Sequence, residues 1–206
     1  TVISTLYLHD ALPIYGEGFK APSLFQLYDP NYGNLDVGPE RSRSYDIGVD
    51  HSLIDGKAQF SVTAFRRDTR DQINYDVNIG LFGGYNNIDR TRAKGVEATM
   101  TLRPVEALTV TASYSYIDAR DRSAGSFNYG NRLPRRAADA ISASIDYVWS
   151  FGLSTGATVT MVGDSFDNAA NTRRLDGSAL AGIRASLPSG DHLEAYGRVD
   201  TLFDES

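Results

Sequence analysis

Ser165 is the side chain of this sequence most like a catalytic nucleophile. It stands in Gly163-Asp164-Ser165-Phe166. A serine hydroxyl becomes nucleophilic only when an imidazole within hydrogen-bonding reach takes its proton. There are three histidines, His9, His51 and His192. An aspartate three residues ahead of the histidine would orient the ring, but before His192 that place holds Ser189. Hydrolysis therefore lacks a recognisable base, and Gly163-Asp164 reads as turn geometry. The same three histidines are too widely spaced for a ligand set, and the absence of cysteine removes thiolate metal sites and disulfides. Asp29-Pro30-Asn31-Tyr32-Gly33-Asn34 is a faint version of a calcium loop. No glycine-rich phosphate loop precedes a helix. The expectation is no enzyme, no metal and no cofactor.

Binding chemistry is better represented. Arginines recur in pairs: Arg41 and Arg43, Arg90 and Arg92, Arg120 and Arg122, Arg135 and Arg136, Arg173 and Arg174. A guanidinium grips phosphate bidentately. The same residues fit equally well a solvated rim, or ion pairs with Asp118, Asp121 and Asp139. Aromatic rings and amides collect in the stretches between patterned segments: Tyr28, Tyr32, Asn34, Tyr85, Asn86, Asn87, Phe127, Tyr129 and Asn131. Apolar faces beside amide donors and acceptors suit a large ligand, although ordinary loop packing uses the same residue types. The net charge of −6 over 206 residues excludes a general nucleic-acid binder, which needs a basic surface.

These residues need elements to position them, and the dominant pattern is alternation. In 108–120, Leu108, Val110, Ala112, Tyr114 and Tyr116 share one parity, and Thr109, Thr111, Ser113 and Ser115 the other. A strand turns successive side chains to opposite sides, so this is a ribbon with one apolar and one wet face. The phrase returns at 45–53, 58–64, 95–102, 141–149, 153–161, 182–187 and 193–203. Connections alternate between tight (53–57, 103–107, 150–152, 188–191) and long and polar (78–93, 121–136, 164–177). Aromatics sit at strand ends: Tyr114 and Tyr116 before a long connection, Tyr147 and Trp149 before a short one. A membrane barrel has short turns on one side, long loops on the other and aromatic girdles between. A soluble or cell-surface β-sandwich adhesin shares the alternation but shows bulk water longer charged side chains. The expected fold is all-β: an antiparallel, up-and-down transmembrane barrel, present as about nine strands in an open sheet with an unpaired edge at each end.

Three segments carry a family resemblance: 15–50 (YGEGFKAPSLFQLYDPNYGNLDVGPERSRSYDIGVD), 86–102 (NNIDRTRAKGVEATMTL) and 196–206 (YGRVDTLFDES). Their residues, order and spacing resemble the barrel of TonB-dependent outer-membrane receptors. Phe19–Pro22, Gln26–Tyr28, Gly33–Asn34, Pro39–Glu40 and Tyr116–Arg120 are most similar to the vitamin B12 (cobalamin) transporters within that family. The resemblance implies a barrel of about 22 strands around an N-terminal plug. Residues 15–206 would then be a partial barrel domain lacking the plug, the first strands and the closing strand. It implies wall and ligand vestibule of an active transporter in the outer membrane of a Gram-negative bacterium. The transported ligand would be cobalamin, with a siderophore or haem receptor of the same fold as the alternative, and TonB would act through the missing plug. Outer-membrane lipid and lipopolysaccharide become the phosphate-bearing partners of Arg120, Arg122, Arg135, Arg136, Arg173 and Arg174. The nine aromatic and amide residues become loop candidates for the vestibule.

Residues 1–14 continue none of these patterns. TVISTLYLHDALPI has no basic n-region and no small-residue cleavage site. Leu8–Ile14 resembles the conceptual translation of a short-read sequencing adapter, so 1–14 is expected to be a non-native leader.

Overall fold

The computed structural model describes residues 9–54, 56–189 and 193–200. Its strands are β1 (His9–Lys20), β2 (Glu40–Leu53), β3 (Ala58–Asp76), β4 (Gly84–Val105), β5 (Leu108–Asp121), β6 (Asp139–Val148), β7 (Ser154–Val162), β8 (Ser165–Phe166), β9 (Arg174–Leu175), β10 (Ser178–Ser189) and β11 (Leu193–Asp200). One short helix, α1, covers Leu24–Tyr28. Nine strands form a single open sheet in the order β1-β2-β3-β4-β5-β6-β7-β10-β11, every neighbouring pair antiparallel. The small β8-β9 pair decorates a loop. β1 and β11 are the two edges, as the alternation predicts.

Register converts the alternation into two opposed surfaces. Val49, Val62, Ala98, Tyr114, Ile141 and Met161 line up across six strands. One residue further along each strand, the row reads Asp50, Ser61, Thr99, Ser113, Ser142 and Thr160. A one-residue slip would exchange the two surfaces, so each pairing reinforces the next. Nothing among the described residues covers the apolar face: Ile47 is 57% exposed, Val62 48% and Ile183 49%. A sandwich would bury that face under a second sheet. Its exposure among the described residues fits a sheet whose apolar face meets hydrocarbon. No large side chain is fully buried, so this sheet has no conventional core among the described residues.

The apolar band has the right height. From Leu108 to Tyr116 the chain advances about 26 Å at ~3.3 Å per residue, or about 20 Å along the membrane normal at a tilt of ~40°. Aromatics bracket it. Tyr15 and Tyr45 stack at 5.3 Å near the long-loop end. Tyr147, Trp149 and Phe151 stack successively at 4.9 and 6.2 Å at the short-turn end, where Trp149 Nε1 donates to Thr155 Oγ1 at 3.0 Å.

Two expectations about the strands need correction. The stretch 78–93 is not a long loop: β3 continues to Asp76 and β4 begins at Gly84, so the connection is only 77–83. β1 covers His9–Lys20, so strand structure is present ahead of Tyr15, within the stretch expected to be a leader. Within it Pro13 pairs with Ile47 and Ile14 with Asp46, which puts Ile14 in the polar-face row of Asp46, Phe65 and Ile117. Among the described residues β1 is the outermost strand of the sheet, where a proline removes no observed ladder bond to a further neighbour. Residues 1–8 of the expected leader and residues 201–206 of the last resembling segment lie outside the described residues.

Candidate functional site

At the long-loop end the chain leaves β1 and folds back onto β3 and β4. Ser23 starts the turn with a capping box. Its hydroxyl accepts from Gln26 N at 3.2 Å, and its own N–H donates to Gln26 Oε1 at 2.9 Å. Asp29 Oδ1 then accepts from Asn31 N and Tyr32 N, both at 2.9 Å, so this carboxylate organises a turn. Gly33 is required at the crossing, since a Cβ there would lie 2.6 Å from both Asp29 N and Asp29 O.

The returning loop docks through aromatics. Tyr75 and Tyr85 face each other across β3 and β4 at 5.4 Å. Tyr32 meets Tyr75 at 6.0 Å and Phe25 meets Tyr85 at 6.2 Å. Amides lock the arrangement. Asn34 Nδ2 donates to Tyr85 O at 3.0 Å. Asn87 Oδ1 accepts from Gly38 N at 2.7 Å, while Asn87 Nδ2 donates to Gly38 O at 3.1 Å and Asp71 O at 2.6 Å.

The loops 122–138 and 164–177 are tied together in the same way. Asn171 Oδ1 accepts from Arg132 N at 2.8 Å and its Nδ2 donates to Arg132 O at 2.9 Å. Asn131 Nδ2 donates to Ala169 O at 3.0 Å. Asp167 receives Arg135 and Arg173, each at 3.0 Å. Between these loops and β3-β4 lies a cavity of about 370 Å³ lined by Asn74, Asn86, Asp89, Asn128 and Arg132. Leu133, 4% exposed, forms part of its floor and also lines a second cavity of about 370 Å³ on the polar face, with Glu40, Asp46, Arg67, Glu97 and Arg136. The two hollows stack loop over sheet, an amide-rich mouth above a charged interior. A larger hollow of about 680 Å³ opens on the apolar face among Ile145, Ala157, Ile183, Ala185 and Val199. It lies in the band that meets hydrocarbon and gathers few polar groups, so it is not a site for a polar ligand.

The predicted binding residues divide accordingly. Tyr32, Asn34, Tyr85, Asn86 and Asn87 come together, but Tyr85, Asn86 and Asn87 belong to β4, not to a loop. Asn34, Asn87 and Asn131 spend their amides on bracing bonds. Tyr28, Phe127 and Tyr129 are exposed; the first two rings are free to meet a ligand, and the Arg122 guanidinium lies 5.8 Å from the Tyr129 ring centroid. Sequence reasoning missed Asn74 and Asn128, which share the amide-rich cavity. Asn74 is the cross-strand partner of Asn86, a relation only register reveals.

Among the arginines, Arg120 pairs with Asp118 at 2.6 Å and Arg174 reaches Asp164 and Asp176 at 3.5 Å. Arg136 is a correction. It lines the polar-face cavity beside Glu40 and Arg67, facing away from lipid. Burial holds its guanidinium below the ordinary value and Glu40 opposes that shift. Ser165 lies in β8, paired with Leu175 at the loop end. His51 is at the opposite, turn end of β2, and His192 lies outside the described residues, so no described imidazole approaches Ser165. Among the described residues no three His, Asp or Glu side chains cluster as metal ligands.

Residues 15–202 match the family model described as TonB dependent receptor-like, beta-barrel. The chain belongs to the TonB-dependent receptor β-barrel family. Members of this family are receptors and transporters of the Gram-negative outer membrane. The receptor segment is 31% identical over 199 residues to the vitamin B12 transporter BtuB of Photobacterium profundum, covering 92% of this chain and 30% of that relative. Among solved structures it is similar to the copper transporter OprC (TM-score 0.75, 17% identity, 93% of this chain and 31% of that one). It is also similar to the ferric yersiniabactin uptake receptor FyuA of Yersinia pestis (TM-score 0.74, 18% identity, 94% and 29%). At these identities the structural likeness concerns the fold. The chain spans about a third of the length of each protein it matches. With the family fixed, the apolar face of the receptor is its lipid-facing surface, the polar face its lumen, and the long-loop end its extracellular mouth.

Proposed function

We propose that this segment forms wall and extracellular vestibule of a TonB-dependent outer-membrane transporter, and that the transported ligand is cobalamin. The observation that carries the ligand is the 31% identity to a vitamin B12 transporter over 92% of the chain. The stacked hollows at the mouth support it physically. A corrinoid presents broad apolar faces fringed with amides, and the mouth offers exposed rings (Tyr28, Phe127, Tyr129) beside an amide-rich cavity. The braced loops keep these groups in place without ligand, which lowers the ordering cost of binding. Coupling to TonB belongs to a plug enclosed by the complete barrel. A siderophore or haem ligand is the competing outcome.

The test is equilibrium binding of cyanocobalamin to the purified full-length gene product, with ferric siderophores and haem in parallel. Cyanocobalamin is expected to bind alone. Tyr28→Ala and Phe127→Ala should each weaken it by about tenfold, corresponding to ~1–2 kcal/mol per lost ring contact. Binding of a ferric siderophore or haem without cobalamin would replace this reading. Unchanged affinity in both variants would move the site off these rings.

A further inference from the structure

The outward face carries an arrangement above its apolar band that transport does not require. The top apolar row is Ile47, Ala64, Val96 and Tyr116. Moving toward the extracellular end, the next row on the same face is Tyr45, Arg66, Lys94 and Asp118, and the one after it Arg43, Asp68, Arg92 and Arg120. The row above that consists of arginine alone. Arg41 pairs with Arg70 and Arg70 with Arg90 in strict cross-strand register, and Arg122 N donates to Arg90 O, so Arg122 continues the line.

Carboxylates are distributed unevenly over these rows. Asp68 is shared by Arg66 at 2.8 Å and Arg92 at 2.6 Å. Arg43 pairs with Glu17 at 3.1 Å and Arg120 with Asp118 at 2.6 Å. Arg41, Arg70, Arg90 and Arg122 form no ion pair among the described residues. Arg41, Arg70 and Arg90 are exposed. Arg122 lies with its guanidinium carbon 5.8 Å from the Tyr129 ring centroid, and its Nε is buried without a hydrogen-bond partner. Like charges directly opposite each other destabilise a sheet. Four in succession, in a chain of net charge −6, call for an external anion.

We propose that these three rows bind the phosphates of an outer-leaflet glycolipid of the lipid A class, with Arg41, Arg70, Arg90 and Arg122 as the principal ligands. The inference rests on the outer-membrane reading above and deepens it. Height fits the assignment. The arginine row stands about 20 Å along the strands from the top apolar row, or about 15 Å above it after tilt. Flexible side chains reaching down from there meet sugar and phosphate groups directly above the acyl chains. A lipid also satisfies both surfaces at once, tails on the apolar band and phosphates on the guanidinium row, which free phosphate cannot do. The loop arginines Arg135, Arg173 and Arg174 take no part, being ion-paired to Asp167, Asp164 and Asp176. Arg136 faces the lumen.

The test is titration of the detergent-purified full-length product with bisphosphorylated lipid A and with its dephosphorylated form. The native protein is expected to prefer the phosphorylated lipid at least about tenfold, since charge-assisted hydrogen bonds are involved. Excess inorganic phosphate should leave that lipid bound. Replacing Arg41, Arg70, Arg90 and Arg122 by Gln should abolish the preference, and replacing Arg135, Arg173 and Arg174 by Gln should leave it intact. The proposal is overturned if the native protein shows no preference, if inorganic phosphate displaces the lipid, or if the loop set loses binding equally. Should the fourfold variant fail to fold, the two lipids on native protein and the single exchange Arg90→Gln still decide. Cyanocobalamin binding by the same samples reads the transport proposal separately.

Discussion

Val62→Arg is expected to cost about 1–3 kcal/mol of barrel stability in a bilayer, whereas Thr63→Arg, one residue further on, costs less than about 1. Val62 lies inside the apolar band one row below its top, in the row of Val49, Ala98 and Tyr114. A guanidinium there must enter hydrocarbon or distort the lipid around it. Thr63 lies on the polar face between Gly48 and Glu97, away from hydrocarbon and beside the counter-charge of Glu97. Urea unfolding of the full-length receptor in phospholipid vesicles measures both. Equal costs at the two positions would contradict the assignment of faces, because the only difference between them is the side of the sheet.

Gly95→Val should be comparably damaging for a different reason. Gly95 occupies the lumen row of Asp46, Phe65 and Ile117, and the Phe65 ring lies across it. A Cβ at this position would run into the Tyr116 carbonyl oxygen and come within 2.8 Å of Phe65 Cζ. The ring could swing away, but the carbonyl belongs to the β4-β5 pairing and moves only with the strand. Overpacking of this kind costs about 1–3 kcal/mol, and here it also loosens a strand pair that must stay closed within a membrane. Gly197→Ala is the control, since nothing lies within 4 Å of a Cβ there. Heat-modifiable gel mobility should reveal a depleted folded form for Gly95→Val and normal amounts for Gly197→Ala. Full folding of Gly95→Val would mean that β4 and β5 are not paired in this register.

Alternation made the membrane-spanning part of the fold readable from the residues alone. Wherever hydrocarbon lies on one side and water on the other, each strand must record the difference every second residue, as 108–116 and 141–147 do. Where β3 and β4 rise past the lipid, both faces are wet and the record stops. That is why 78–93 reads as a loop although Asn74 pairs with Asn86 and Tyr75 with Tyr85 in a continuing ladder. The five-residue α1 was too short to produce periodicity, and its capping box of Ser23 and Gln26 went unread. The arginine row was half legible. Arg41, Arg90 and Arg122 stand out as members of pairs, whereas Arg70 and the alignment of all four depend on register. The binding residues were found by type, but not their division of labour. Asn87 and Tyr28 look alike as loop candidates, and only the bonds of Asn87 to Gly38 and Asp71 mark it as a brace.

The most direct test of the central claim is uptake of labelled cyanocobalamin by cells whose own cobalamin receptor is deleted and which express the full-length gene product. Uptake is predicted to be restored, to disappear when TonB is also deleted, and to be unaffected by excess ferric siderophore. Failure to restore uptake with the protein folded in the outer membrane, or restoration that persists without TonB, would contradict the account.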